Sequence, residues 1–330
     1  MRLLRAALLA IFAVAKGQQP LKLRAGGASF PAAMFRDITF AYSFLHPTTG
    51  GVDISYHSVG SSAGKRWIVD GSRRCDGARP CVTLDWAASD SLLTESDYAA
   101  YPDLRMFPTM AGAVVPIFNL PGFREGEDLL LTPALVSKVF RGAVTHWDDP
   151  EIVSINPHLA LPSARIVLCV RADGSGTTEI FKKALSAFEP EFAERVGASS
   201  NAKWGPTNVT RRRLNSGVAS FVAHTPFALG YSVLAEARNA GLPFATLLKG
   251  VSRVRASATS VSYALAELGL EVGEGKALTA DVHNALGTHF ETPLPRSEMQ
   301  STRAAPEEAW SALTSTTRGV LGYHTVSLQV

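Results

Sequence analysis

Residues 165–188 read RIVLCVRADGSGTTEIFKKALSAF, and this stretch decides the fold class. Arg165–Val170 is a short, almost wholly apolar run of strand length. It enters a turn of small and polar residues, Arg171-Ala172-Asp173-Gly174-Ser175-Gly176-Thr177. Beyond it Ile180, Phe181, Ala184, Leu185 and Phe188 recur at helical spacing, so the reading is strand, Gly/Ser turn, helix. The same unit appears twice upstream. Leu21–Ala25 alternates apolar and polar residues, runs into Gly26-Gly27-Ala28-Ser29-Phe30-Pro31, and continues with Met34, Ile38, Ala41, Tyr42 and Leu45 on one helical face. Val52, Ile54 and Tyr56 alternate as a strand, followed by Gly60-Ser61-Ser62-Ala63-Gly64 and Trp67-Ile68-Val69. Thr132-Pro133 opens a further helix carrying Leu135, Val136, Val139 and Phe140. This alternation predicts an α/β fold with mainly parallel or mixed sheets. No repeat of fixed period and no low-complexity linker marks a domain boundary.

The 330 residues suffice for two ordinary domains, and 46% hydrophobic with 18% charged residues is a globular composition. The formal net charge is +3, and no dense Lys/Arg stripe with interleaved aromatics argues for nucleic acid. Arg211-Arg212-Arg213 is the one compact basic run, read most simply as a solvated loop. At the N-terminus Arg2 and Arg5 precede the short apolar stretch Ala6–Ala15, and Ala13-Val14-Ala15 offers small residues for cleavage. That layout predicts a secretory signal peptide over residues 1–17 and a secreted, periplasmic or extracellular protein. The stretch is shorter than the ~20 residues that span a bilayer. Cys75 and Cys81 bracket a turn-rich loop and are a candidate disulfide in an oxidising compartment, with two free thiols as the alternative. Cys169, inside an apolar run, reads as a buried core thiol. Asn208-Val209-Thr210 is a glycosylation sequon.

Each Gly/Ser turn ends where a helix begins. Unpaired backbone N–H groups point outward there, and the helix dipole adds partial positive charge. Small side chains let an anion approach closely, and serine hydroxyls add donors. A single such turn is an ordinary N-cap; three in one chain, one beside an arginine, suggest a site for a tetrahedral oxyanion.

Taken in order, AGGASFP (residues 25–31), SVGSSAG (58–64), ASD (88–90) and RADGSGTT (171–178) resemble the signature turns of the phosphate-binding proteins of bacterial phosphate-specific ABC transporters. KVFRGAVTHWD (138–148) and FVAHTPFALGY (221–231) extend the resemblance, which covers residues 25–248 and returns faintly at 309–315. It implies a two-lobed periplasmic-binding-protein fold (type II) with a ligand cleft between α/β lobes. Lobe 1 would comprise residues 21–108 plus 253–330 and lobe 2 residues 109–252, with hinges near 107–110 and 250–255. It further implies a monomeric binding protein rather than an enzyme, without cofactor or metal, whose partners are inorganic phosphate and the transporter's membrane permease.

By the same resemblance the phosphate-binding residues would be Ser29, Phe30, Ser61, Asp90, Arg171, Asp173, Ser175, Gly176 and Thr177, with Arg171 as the anion-pairing guanidinium and Asp173 as the acid that orients it. Asp90 would set selectivity. A carboxylate beside an anion repels it unless the ligand brings a proton to donate; phosphate near neutral pH retains one and sulfate has none. Two departures stand out. RRRLN (211–215) replaces the family's glycine-rich stretch, and the chain stops where relatives continue, so that the first lobe is expected to be shortened. Two other functions remain open on the sequence. Gly60–Gly64 satisfies G-x-S-x-G, with Ser62 as the nucleophile of a secreted serine hydrolase. The fold would equally suit a phosphate sensor or adhesion module uncoupled from transport. Gly60–Lys65 is not a P-loop, since the glycine spacing is one residue short and Arg66 stands where Ser or Thr would bind magnesium.

Overall fold

A computed structural model of the protein describes residues 21–45, 51–70, 84–101, 104, 106–201, 203–206, 208–267 and 324–329. The signal segment 1–17, the Cys75/Cys81 pair and the 309–315 echo lie outside the described residues. Along the chain β1 (Leu21–Gly27), α1 (Ala32–Leu45), β2 (Val52–Ser58), α2 (Ser61–Asp70), β3 (Trp86–Ser89) and α3 (Glu95–Ala100) come first. β4 (Phe107–Phe118), β5 (Leu130–Leu131), α4 (Pro133–Arg141), α5 (Pro150–Ile155), β6 (Val167–Arg171), α6 (Gly176–Phe188) and α7 (Pro190–Arg195) follow. β7 (Thr210–Arg212), α8 (Leu214–His224), β8 (Ala228–Val233), α9 (Leu234–Asn239), β9 (Thr246–Lys249), β10 (Ser252–Val254), α10 (Ala258–Glu267) and β11 (His324–Gln329) complete the described chain.

Eight strands form one sheet in the order β2-β1-β3-β11-β4-β8-β6-β7, and β10-β9-β5 form a second, small sheet. The large sheet explains the two lobes. β1 pairs in parallel with β2 and β3, and β6 in parallel with β7 and β8. Between these parallel triplets run β11 and β4, antiparallel to each other and to their neighbours. β4 is the strand that crosses: residues 107–113 pair with β11 and residues 114–118 with β8. Each parallel strand feeds a helix at its C-terminal end, the edge of an open α/β sheet where ligands bind.

The larger core lies under β4, β6 and β8, with Trp147, Phe118, Phe140, Phe181 and Tyr231 buried together. Tyr231 stacks on Phe181 with ring centroids 4.5 Å apart. α4 begins as its sequence predicts: the Thr132 hydroxyl accepts from the Leu135 N–H at 3.1 Å, and Pro133 occupies the first turn. Cys169 is buried among apolar neighbours, which push its thiol up to about 12, so it is inert at neutral pH. Val254, Ala256 and Val261 pack against the cores under β4 and β8.

One glycine fixes how the first turn meets its neighbours. Gly27 has a φ of +140°, and a Cβ there would stand 2.0 Å from the Ala88 carbonyl oxygen. Its own carbonyl accepts from the N–H groups of Val59 and Gly60 at 2.9 and 2.8 Å. Gly27→Ala is therefore expected to cost at least ~3 kcal/mol, because the obstruction is backbone and cannot rotate away. A urea midpoint unchanged from that of the unaltered chain would contradict this.

Candidate functional site

Five segments converge between the lobes. From the first come the turn before α1, carrying Ser29 and Phe30, the first residue of α2, Ser61, and the end of β3, with Asp90. From the second come the end of β6, with Arg171, and the tip of α6, with Ser175, Gly176 and Thr177. Ser29, Ser61, Asp90, Arg171, Ser175 and Thr177 are all buried polar residues. The lobes touch here. Thr177 Oγ1 donates to Asp90 Oδ2 at 2.8 Å, Ser62 N to the Gly174 carbonyl at 3.3 Å, and Asn215 N to Ser29 Oγ at 3.3 Å. A Cβ on Gly176 would meet Asp90 Cβ at 2.6 Å and Ser61 Oγ at 2.7 Å, which explains glycine at that tip.

Local interactions position each group. The Ser175 hydroxyl caps α6 by accepting from the Thr178 N–H at 3.1 Å, while its own N–H is spent on the Ser200 carbonyl at 2.9 Å. Lys182, buried in α6, donates to the carbonyls of Asn201 and Lys203 and so ties that loop to the helix. Tyr56 donates to the Ala28 carbonyl at 2.6 Å, fixing the turn that presents Ser29. Phe30 turns its ring into the core, where a Cβ on Gly112 of β4 would meet it at 2.6 Å. Phe30 thus offers the site its backbone, not its ring.

Arg171 is 1% exposed and held from two sides. Its Nε donates to Asp173 Oδ1 at 2.9 Å and its Nη2 to Asp173 Oδ2 at 2.5 Å, while Nη1 donates to Asn215 Oδ1 at 2.7 Å. A guanidinium has five N–H donors, so two stay uncommitted among the described residues. Asp173 also accepts from the Leu214 N–H at 2.9 Å. Burial pushes its carboxyl upward, yet the hydrogen bonds and charge of Arg171 outweigh this and hold it below the usual carboxylate range. Asp173 is accordingly spent on orienting Arg171.

Asp90 is the most perturbed carboxyl of the site. Burial pushes it up to about 6, against the opposing pull of the Thr177 hydroxyl and the Arg171 charge. One oxygen, Oδ2, takes the Thr177 hydroxyl; the other, Oδ1, is buried and has no hydrogen-bond partner among the described residues. A buried carboxylate oxygen left bare costs free energy unless a donor reaches it. The site therefore combines a positive guanidinium, a buried helix tip and one strong acceptor awaiting a proton donor. A tetrahedral oxyanion that still carries a hydroxyl satisfies all three.

A sequence model of the PBP superfamily domain matches residues 14–286. The phosphate-binding protein PstS of Pasteurella multocida is 32% identical over 280 residues, covering 83% of this chain and 76% of that protein. The chain belongs to the PstS phosphate-binding protein family. PstS of Haemophilus influenzae is 31% identical over 229 residues, and the match spans 63% of that relative's length. Among solved structures, a high-affinity periplasmic phosphate-binding protein bound with phosphate superposes with a TM-score of 0.60 at 20% identity, covering 94% of this chain and 80% of the other. A human phosphate-binding apolipoprotein gives 0.56 at 18%, covering 86% and 93%. At these identities the likeness establishes the two-lobed fold.

Within this PstS-family fold, Asn215 is the residue that sequence reasoning missed. It is fully buried, accepts from Arg171, donates to Thr177 Oγ1 at 3.3 Å, and meets Ser29 of the opposite lobe through its N–H. It lay in RRRLN, read as a basic departure, and nothing local distinguishes it from a surface asparagine. Leu214, at a φ of +62°, makes the turn that swings it inward. Asn215→Ala is expected to weaken anion binding by about 1–3 kcal/mol, because it frees one Arg171 N–H and removes a positioning bond. Calorimetry showing affinity within about twofold of the unaltered chain would remove Asn215 from the site. Ser62 lies beside the cleft, and among the described residues no histidine ring hydrogen-bonds it, so these residues form no nucleophile–base pair of a serine hydrolase.

Proposed function

We propose that this chain binds inorganic phosphate outside the cytoplasm and hands it to the membrane permease of an ABC transporter, without catalysing a reaction. The observation that carries the reading is Asp90 Oδ1, buried and bare, in a site whose other members are Arg171 and the α6 tip. Near neutral pH phosphate keeps a P–OH that can donate to that oxygen, while its remaining oxygens accept from Arg171, Ser29, Ser61 and the N–H groups of the helix tips. Sulfate would set a bare oxygen against a carboxylate. The relatives named PstS phosphate-binding protein support phosphate as the ligand.

In this reading Ser29, Phe30, Ser61, Asp90, Arg171, Ser175, Gly176 and Thr177 contact phosphate, and Asp173 and Asn215 position Arg171. The sequence-based division puts residues 21–108 with 253–330 in one lobe and 109–252 in the other. The packing of Val254, Ala256 and Val261 favours moving the second crossing beyond residue 261. An extracytoplasmic protein fits the N-terminal signal layout, and no helix among the described residues is long and apolar enough to cross a membrane. Equilibrium dialysis of the full chain against radiolabelled phosphate should show one saturable site of micromolar or tighter affinity, about 8 kcal/mol or more. Several charge-assisted hydrogen bonds of ~1.5–3 kcal/mol each reach that figure after desolvation and ordering costs. Absence of saturable binding would overturn the proposal.

A further inference from the structure

Beyond the buried guanidinium stands a second, exposed set of arginines. β7 runs parallel to β6 with Arg212 in register with Arg171, and the Ala172 N–H donates to the Arg212 carbonyl at 2.9 Å. The two strands therefore end on the same rim. Arg211, Arg212 and Arg213 are all exposed, and among the described residues none of them has a carboxylate within ion-pairing distance. Two residues further on, Asn215 N donates to Ser29 of the opposite lobe, which sets this ridge on the lip of the cleft. The Arg212 guanidinium lies 4.6 Å from the centre of the Phe221 ring, which fixes the middle of the ridge.

We propose that Arg211, Arg212 and Arg213 form an electrostatic collar that steers phosphate into the cleft, an inference that rests on the phosphate reading above. The three charges are too exposed to hold the ligand once it is seated. Their field reaches outward over a Debye length, ~8 Å at physiological salt and ~30 Å at 0.01 M. Steering of this kind raises association rates by ~10–10³-fold in favourable cases and leaves escape from the closed site nearly untouched. It gives the protein a faster first encounter with the anion.

The test uses the full chain, the double variant Arg211→Ser/Arg213→Ser and the reversal Arg211→Glu/Arg213→Glu; Arg212 is spared because it packs on Phe221. Kd is measured by dialysis with radiolabelled inorganic phosphate, and release by chasing with unlabelled phosphate. At ~10 mM ionic strength the serine variant should bind about three- to tenfold more weakly, with a release rate within about twofold of the unaltered chain. The glutamate variant should lose more, and both differences should vanish near ~0.5 M salt. An unchanged Kd at low salt, a loss that persists at high salt, or one carried by faster release overturns the collar alone. No saturable binding by the unaltered chain overturns the phosphate reading and the collar with it.

Discussion

Arg171→Ala is expected to weaken phosphate binding by ~2–5 kcal/mol, about 30-fold to several thousand-fold. The loss has two sources. The ligand forfeits the uncommitted N–H groups of a guanidinium that is 1% exposed. Asp173, 8% exposed at its side chain, is left with the Leu214 N–H in place of a fork of charge-assisted bonds, so a negative charge now faces the incoming anion. Breaking the pair should also lower stability by ~3–5 kcal/mol. Arg171→Lys keeps the charge but cannot satisfy Asp173, Asn215 and a ligand together, and should recover only part of the affinity. Titration calorimetry of the alanine variant showing near-normal affinity would remove Arg171 from the site.

Asp90→Asn should act on selectivity more than on affinity. The amide can still accept from Thr177, but its NH2 would lie where a bare carboxylate oxygen lay, so it donates to an anion instead of repelling one. Sulfate should then be admitted, and the preference for phosphate over sulfate should fall by about 100-fold or more, ~3 kcal/mol. The same variant changes the pH dependence of the ligand-free protein. The Asp90 pKa is raised from 3.8 to about 6, so the folded state holds this proton more tightly than the unfolded chain does. The stability this contributes is complete below about pH 4 and is lost as the pH rises through about 6, a change of at most ~3 kcal/mol. In Asp90→Asn that loss is absent. Urea midpoints at pH 5 and pH 7.5 should therefore diverge between the two proteins, the variant gaining relative stability at the higher pH. Parallel pH dependences would mean that Asp90 is not desolvated as described.

Much of this was legible in the residues, and the rest was not for physical reasons. The unit over residues 165–188 declared itself because strand, turn and helix are contiguous, and Ser175 caps α6 by a bond spanning three residues. Ser29, Ser61, Asp90, Arg171, Ser175, Gly176 and Thr177 sit in turns whose short-range pattern carries meaning, and the fold brings them together. Asn215 gave no such signal, since its role depends on a left-handed leucine before it and on partners 44 and 186 residues away. β4 was equally hidden. Pro108 and Pro116 lie within it, and proline usually argues against a central strand. Its change of partner from β11 to β8 is a tertiary fact that no local period encodes. The pairing of β4 with residues 324–329 likewise joins segments some two hundred positions apart, beyond any pattern read along the chain.

The proposed selectivity rests on a carboxylate that waits for the ligand's own hydrogen. Its most direct test is calorimetric titration of the unaltered chain with phosphate and with sulfate, at the same pH near 7.5 and the same ionic strength. Phosphate should bind with micromolar or tighter affinity, and sulfate at least about 100-fold more weakly. Sulfate binding as tight as phosphate would contradict it.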